Sequence, residues 1–257
     1  MKYKSVEVAE IFNALKVMKL PGMAEAFQEQ SRDPSYAKLS FQERFGLIVR
    51  HELSSRTSRR IERLIKESRM RYPLLRLEEL KYGQDDGIEQ GLLRELCACD
   101  WLTLPTCPSV VITGPTGTGK TTIAHALGLA ACDRSIPVLC YRLPELLEAL
   151  DFQAMKHECA QFVGKINKKP LLIIDDFAMN PISQEQSKNL LTLLAGREGV
   201  ASTVIASQLP VEMWHQQLGS LWDADAIVDR LIGTSYRIEL KGESKRMNPN
   251  LTLRATS

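Results

Sequence analysis

Nowhere in the 257 residues does an apolar run approach the ~20 needed to span a bilayer, and the opening MKYKSVEVAE has no signal-peptide apolar core. These absences set aside a membrane-spanning or exported protein, and the expected address is the cytoplasm. Six cysteines, Cys97, Cys99, Cys107, Cys132, Cys140 and Cys159, fall into no CxxC pair and no paired metal-ligand spacing. They are expected to be reduced packing residues rather than a disulfide frame or a zinc site. Internal repeats, low-complexity tracts, zinc fingers and dedicated major-groove motifs are all missing. Any nucleic-acid binding is therefore expected to be directed at the backbone and weakly sequence-specific.

What is present is an ordinary globular composition, 44% hydrophobic and 25% charged, long enough for one large domain or a medium domain with a small appendage. The net charge of +2 hides an asymmetry: residues 1–81 carry 17 Lys and Arg against 11 Asp and Glu, and the remainder 16 against 20. The base is concentrated at the front.

The front third reads as helical. Val8, Ile11, Phe12, Leu15 and Met18 follow helical spacing until Pro21-Gly22, and a short helix from Met23 to about Gln30 follows. Ser40 and Glu43 then form a capping box ahead of Phe41, Phe45, Ile48, Val49 and Leu53. Residues 54–71 continue the helical pattern with Arg56, Arg59, Arg60, Arg63, Lys66, Arg69 and Arg71, and Pro73 closes it. Residues 74–96 read as a connector containing a turn cluster and a second short helix.

Beyond Trp101 short apolar runs at 110–113, 138–141, 171–175, 203–207 and 236–240 alternate with helical segments, among them 121–131 and 183–197, the latter with a Ser183/Gln186 capping box. Such alternation predicts an α/β fold, a parallel five-stranded sheet flanked by helices. The expected division is a small all-helical N-terminal domain at 1–80, the α/β domain at 81–247 and a loose tail at 248–257.

Residues 114–121 read GPTGTGKT directly after the first apolar run, the full pattern of a phosphate-binding loop in its proper strand-to-helix context. Gly114, Pro115, Thr116, Gly117, Thr118 and Gly119 would curl their backbone around ATP phosphates. Lys120 would reach the β and γ phosphates, the Thr121 hydroxyl would ligate Mg²⁺, Thr122 completes the nucleotide-binding set, and the helix beginning near Lys120 turns its positive end toward the anion. The run at 171–175 ends in Asp175-Asp176. Asp175 is expected to hold Mg²⁺, directly or through water, and Asp176 to act as general base, with a helix cap or solvated acid as the plainer alternative for Asp176. The fourth run ends in Ser207-Gln208, two candidates for sensing the γ-phosphate, Ser207 preferred. Arg230 could serve as an arginine finger to a neighbouring subunit. Arg246 is a candidate lid contact to phosphate. Arg56, Arg59, Arg60 and Arg63, with members four apart sharing a helix face, are the expected DNA contacts.

Several stretches beyond the generic phosphate loop are specific in combination: 19–26 (KLPGMAEA), 171–176 (LLIIDD), 206–214 (ASQLPVEMW), 224–231 (ADAIVDRL) and 241–246 (KGESKR). Over nearly its whole length the chain resembles the IstB transposition helper proteins of bacterial insertion sequences, AAA+ ATPases related to DnaC helicase loaders. The resemblance implies an AAA+ P-loop NTPase core that binds duplex DNA, forms a homo-oligomer with ATP between subunits, and recruits or stimulates an IstA-type transposase. It also implies Asp176 in the position where related enzymes carry glutamate. Two other readings stay open: a DnaC-type loader whose front domain grips a replicative helicase, and a kinase that merely shares the loop. The kinase would leave the front domain, the acid pair and Arg230 unexplained.

Overall fold

The computed structural model describes residues 7–71, 76, 82 and 86–244. The chain divides into two compact units, Met1–Arg63 and Leu64–Ser257.

In the first unit α1 (Val8–Val17) is followed by α2 (Pro21–Arg32), which begins on Pro21 because proline's fixed φ suits a first helical turn. The long α3 (Phe41–Glu67) starts behind the expected capping box: the Ser40 N–H donates to Glu43 Oε2 at 2.8 Å, and the Glu43 N–H to Ser40 Oγ at 3.3 Å. A glycine is needed at position 22, because a Cβ there would lie 3.0 Å from the Glu52 backbone and 2.9 Å from its carboxylate. The close approach lets Glu52, almost wholly buried, accept from the Met23 N–H at 3.0 Å and from Arg56 Nε at 2.6 Å. Burial opposes ionisation of Glu52, but these donors prevail and its pKa lies below the ordinary value. Arg56 also donates to the Lys19 carbonyl at 3.1 Å, so the residues of the 19–26 stretch fasten α2 to α3.

The second unit begins with the last turn of α3. The helix ends at Glu67 rather than at 71, for a local reason. Ser68 Oγ donates to the Ile65 carbonyl at 2.6 Å, the Ser68 carbonyl accepts from the Cys140 N–H at 2.8 Å, and Arg69 turns left-handed at φ 64°. The sheet comprises β1 (Ser109–Thr113), β2 (Val138–Arg142), β3 (Leu171–Asp175), β4 (Ser202–Ser207) and β5 (Ser235–Glu239), all parallel, in the order β2-β3-β4-β1-β5. The helices are α4 (Gln90–Ala98), α5 (Lys120–Asp133), α6 (Leu143–Met155), α7 (Cys159–Asn167), α8 (Gln184–Ala195) and α9 (Leu221–Ile232). The capping box at Ser183 and Gln186 is formed at the head of α8.

Because β1, β3 and β4 are buried throughout, they read as unbroken apolar runs, and alternate residues feed two cores. Val110, Ile112, Ile173 and Val204 pack with Ile123 and Leu127 of α5 on one face, and Val111, Leu172, Ile174 and Ile205 pack with Leu146, Leu190 and Ile227 on the other. Each fully buried aliphatic contributes roughly 1.5–3 kcal/mol. Cys99, Cys132 and Cys140 are buried packing residues, and Cys97, Cys107 and Cys159 are half-buried. Burial pushes the Cys99 thiol up to about 11 and those of Cys132 and Cys140 to about 12, which leaves them protonated and inert. Among the described residues no helix is long and apolar enough to cross a membrane.

One buried cation fixes a corner of this unit. Arg197, only 2% exposed, donates from Nη1 to the Ile166 and Lys169 carbonyls at 3.2 and 3.1 Å, from Nη2 to the Ser202 carbonyl at 2.6 Å, and from Nε to Thr203 Oγ1 at 3.1 Å. Burial lowers its pKa to about 10, so it remains charged at neutral pH. The guanidinium thereby joins the end of α7, the approach to β3 and the start of β4. Arg197→Leu strands several buried acceptors at about 1–3 kcal/mol each. We expect a loss on the order of 3 kcal/mol, read as a fall of roughly 6–12 °C in Tm by calorimetry.

Candidate nucleotide site

The open crevice of a parallel sheet lies at the carboxyl ends of its strands. Here the pairings Thr113↔Ser207 and Arg142↔Asp175 bring the ends of β1, β4, β2 and β3 level with one another. The loop from β1 to α5 contains three glycines with positive φ: Gly114 at 142°, Gly117 at 84° and Gly119 at 99°. Each conformation favours glycine, and each is backed by a different part of the chain. A Cβ on Gly114 would strike the Leu240 carbonyl, on Gly117 the Ser244 side chain, and on Gly119 the Tyr82 hydroxyl. The loop is thus walled by the strand end after β5 and by Tyr82, leaving its backbone N–H groups as the lining of an anion cradle.

Lys120, 7% exposed, starts α5 and donates from Nζ to the Gly114 and Pro115 carbonyls at 2.8 and 2.7 Å. The Thr118 hydroxyl also donates to the Pro115 carbonyl, at 2.9 Å. Thr122 follows in the first turn of α5. Thr121 Oγ1 donates to Asp175 Oδ1 at 3.2 Å, and the Asp176 N–H donates to that same oxygen at 2.9 Å. Burial holds the Asp175 carboxyl above its ordinary pKa, with the Asp176 N–H and Thr121 acting in the opposite direction. This is the environment that a cation would relieve. Among the described residues no group of three or more His, Cys, Asp or Glu could hold a metal. Thr121 and Asp175 are the oxygen donors that could hold Mg²⁺, with phosphate and water completing the shell, a donor set that suits this hard ion.

Asp176 stands at φ 52° with Oδ2 accepting from Arg142 Nε at 2.5 Å. That bond is the leading reason the Arg142 pKa is raised. Sequence reasoning missed Arg142, although an arginine closing one strand opposite an acid closing another is a usable signal once β2 is known to neighbour β3.

The two candidates at the end of β4 differ sharply. Ser207 is wholly buried: its hydroxyl donates to the Phe177 carbonyl at 2.7 Å and accepts from the Leu209 N–H and Trp214 Nε1, both at 3.2 Å. Gln208 faces the loop instead, with Oε1 accepting from the Thr116 hydroxyl. The geometry brings Gln208 to the cradle and commits Ser207 to the corner behind it.

Arg230 lies at the other edge of the sheet. It donates to the Ala226 carbonyl at 2.9 Å, its Nε is 3.1 Å from Glu198 Oε2, and it lines a polar cleft with Arg197, Asp229, Thr234 and Ser109 at the start of β1. A five-residue strand spans about 13 Å, which separates Arg230 from the cradle of its own chain. In the first unit, Arg59 donates to Ser55 Oγ at 3.1 Å and lies 3.8 Å from Glu52, while Arg56 is occupied by Glu52 and Lys19 as above. Arg60 and Arg63 lie on the same helix. Arg246 and the proposed tail at 248–257 lie outside the described residues.

A phosphate loop after β1, an acid after β3 and a polar residue after the intervening β4 define a P-loop NTPase of the AAA+ type. The chain belongs to the IstB-like ATP binding protein family, whose profile matches residues 13–252. It is accordingly an ATPase. A Sinorhizobium fredii relative named as an insertion sequence ATP-binding protein is 35% identical over 91% of this chain and 94% of its own length. AMPPCP-bound DnaA from Aquifex aeolicus superposes with a TM-score of 0.55 at 20% identity, covering 68% of this chain and 52% of that one. The DnaC helicase loader gives 0.53 at 15% identity, covering 66% and 99%. At these identities the structural likeness speaks for the fold alone.

Gly117→Ala places a methyl group against Ser244 and forces a non-glycine residue to a positive φ, at a cost of about 1–3 kcal/mol if the loop keeps its shape. Relaxation of the loop should lower MgATP affinity at least 10-fold by calorimetry while the far-UV spectrum stays unchanged.

Proposed function

We propose that this chain is an ATP-dependent regulator of transposition: it assembles on duplex DNA with ATP between subunits and recruits or stimulates the transposase of its insertion sequence, an IstA-type enzyme. The ATP-dependent part of this reading is supported most directly by the junction of the cradle with the acid pair through Thr121 and Asp175, and the link to insertion sequences by membership of the IstB-like family. In this reading Lys120 leaves the loop carbonyls for the β and γ phosphates, and Thr121 with Asp175 holds Mg²⁺. When bound, that ion supplies charge neutralisation of the phosphates. Asp176 accepts the proton of the attacking water, Gln208 contacts the γ-phosphate, and Arg142 holds Asp176 away from water until it lets go. Arg230 serves the cradle of a neighbouring copy. The basic face of α3, above all Arg59, Arg60 and Arg63, follows the DNA backbone.

Lys120→Ala is expected to abolish MgATP binding in calorimetry, and undiminished heat would refute the site. Asp176→Asn should keep the affinity and lose about 100-fold or more in turnover, while Arg142→Ala should raise turnover in the absence of DNA. Arg230→Ala alone should lose on the order of 10³ in rate. Mixed with Asp176→Asn subunits it should recover activity, because one mutant supplies the finger and the other the cradle; a role confined to one subunit gives no recovery.

Charge reversal at Arg59 and Arg60 should weaken association with random duplex and lower the salt slope by about 0.9 for each lost phosphate contact. An unchanged slope moves the DNA surface elsewhere. Failure to bind duplex, together with capture of a replicative helicase, would favour the loader reading.

A further inference from the structure

Tyr82 stands 37 residues ahead of Gly119, yet it is built into the wall of the phosphate loop. It is 7% exposed and belongs to the core under α5, with its carbonyl accepting from Gln90 Nε2 at 3.3 Å and its hydroxyl donating to the Gly119 carbonyl at 3.3 Å. The Gly119 carbonyl also accepts the Ile123 N–H at 3.0 Å, the first hydrogen bond of α5.

Two donors from different elements thus hold one carbonyl on the helix side of the loop. The peptide Gly119–Lys120 is planar and trans, so its N–H points opposite to its C=O. Fixing the carbonyl toward Tyr82 and Ile123 therefore aims the Lys120 N–H into the cradle. A peptide flanked by glycine at φ 99° has an alternative: rotated over, it would present a carbonyl oxygen, and its partial negative charge, to an incoming phosphate.

We propose that Tyr82 is a positioning residue for nucleotide binding, whose hydroxyl selects the orientation of the Gly119–Lys120 peptide that offers its N–H to phosphate. The proposal rests on the nucleotide site described above. Burial lifts the phenol to about 12, with Asp86 adding to the effect, so the hydroxyl remains a donor throughout the working pH range.

Tyr82→Phe keeps the ring and removes the hydroxyl that donates to the Gly119 carbonyl. We expect about a 5- to 10-fold rise in the MgATP and MgADP dissociation constants, the size of one hydrogen bond lost at a charged ligand's cradle. The Tm without nucleotide should hold, while the rise in Tm on adding MgADP shrinks. A purely structural role would do the reverse, lowering Tm without nucleotide and leaving affinity alone. Should the Phe variant not fold, 3-fluorotyrosine at position 82, equal in shape but a stronger donor, carries the test: tighter binding supports the proposal and unchanged affinity overturns it. Wild-type protein and Lys120→Ala run alongside. Equal binding by those two sinks the nucleotide site itself, whereas loss in Lys120→Ala with wild-type affinity in Tyr82→Phe sinks only the role of Tyr82.

Discussion

The hydrogen bond from Thr121 to Asp175 passes from the helix after β1 to the end of β3, over the top of the intervening β4. Nothing local in the chain brings these residues together, since 54 positions separate them. The contact exists because β1, β4 and β3 are parallel, fully buried and in register, so that their ends finish at one level. Burial of both sheet faces fixes that register, because a one-residue slip would turn every alternate side chain into the opposite core. The chemistry at the strand ends is therefore set by apolar packing below them.

A second constraint acts at the edge of the sheet. Residues 68–71 run beside β2: the Ser68 carbonyl takes the Cys140 N–H, Arg69 lies 4.7 Å over the Tyr141 ring, and Arg71 meets Glu145 at 2.7 Å. The next residue of that strand, Arg142, holds Asp176. Consecutive positions of β2 are thus gripped on one side by the chain leaving α3 and on the other by the acid pair. His125 fills the space beneath, 3.3 Å from Cys140, and burial lowers its pKa to about 4, so it sits there neutral. An edge strand held in this way has little freedom to shift unless residues 68–71 shift with it.

These two constraints separate what was legible in the sequence from what was not. The phosphate loop and the acid pair are contiguous words at the ends of apolar strands, and their places in the fold could be read directly. The sheet and its helices were legible from the alternation of apolar runs. The capping boxes at Ser40 and Ser183 were equally plain, because cap and partner are three residues apart. Arg142 and Tyr82 were not legible, since their contacts depend on strand order and on a return of the chain across 37 residues. Choosing between Ser207 and Gln208 needed the register, because successive residues point to opposite sides and no local signal says which side holds the loop. Arg197 was hidden for another reason: its partners are mostly backbone carbonyls, which carry no sequence signature.

The two edges of the sheet have complementary needs. At the carboxyl edge, the cradle gathers Lys120, Thr121, Asp175, Asp176 and Gln208, but among the described residues no arginine from the far edge reaches it. At the amino edge Arg230 occupies a polar cleft, where among the described residues its ion-pair partner is the exposed Glu198, a contact worth little because water screens it. In the proposed assembly, a phosphate brought by another copy competes easily with that glutamate. Were copies to assemble in that way, binding at one copy's cradle would be felt at the next copy's far edge, and hydrolysis would depend on whether neighbours are present.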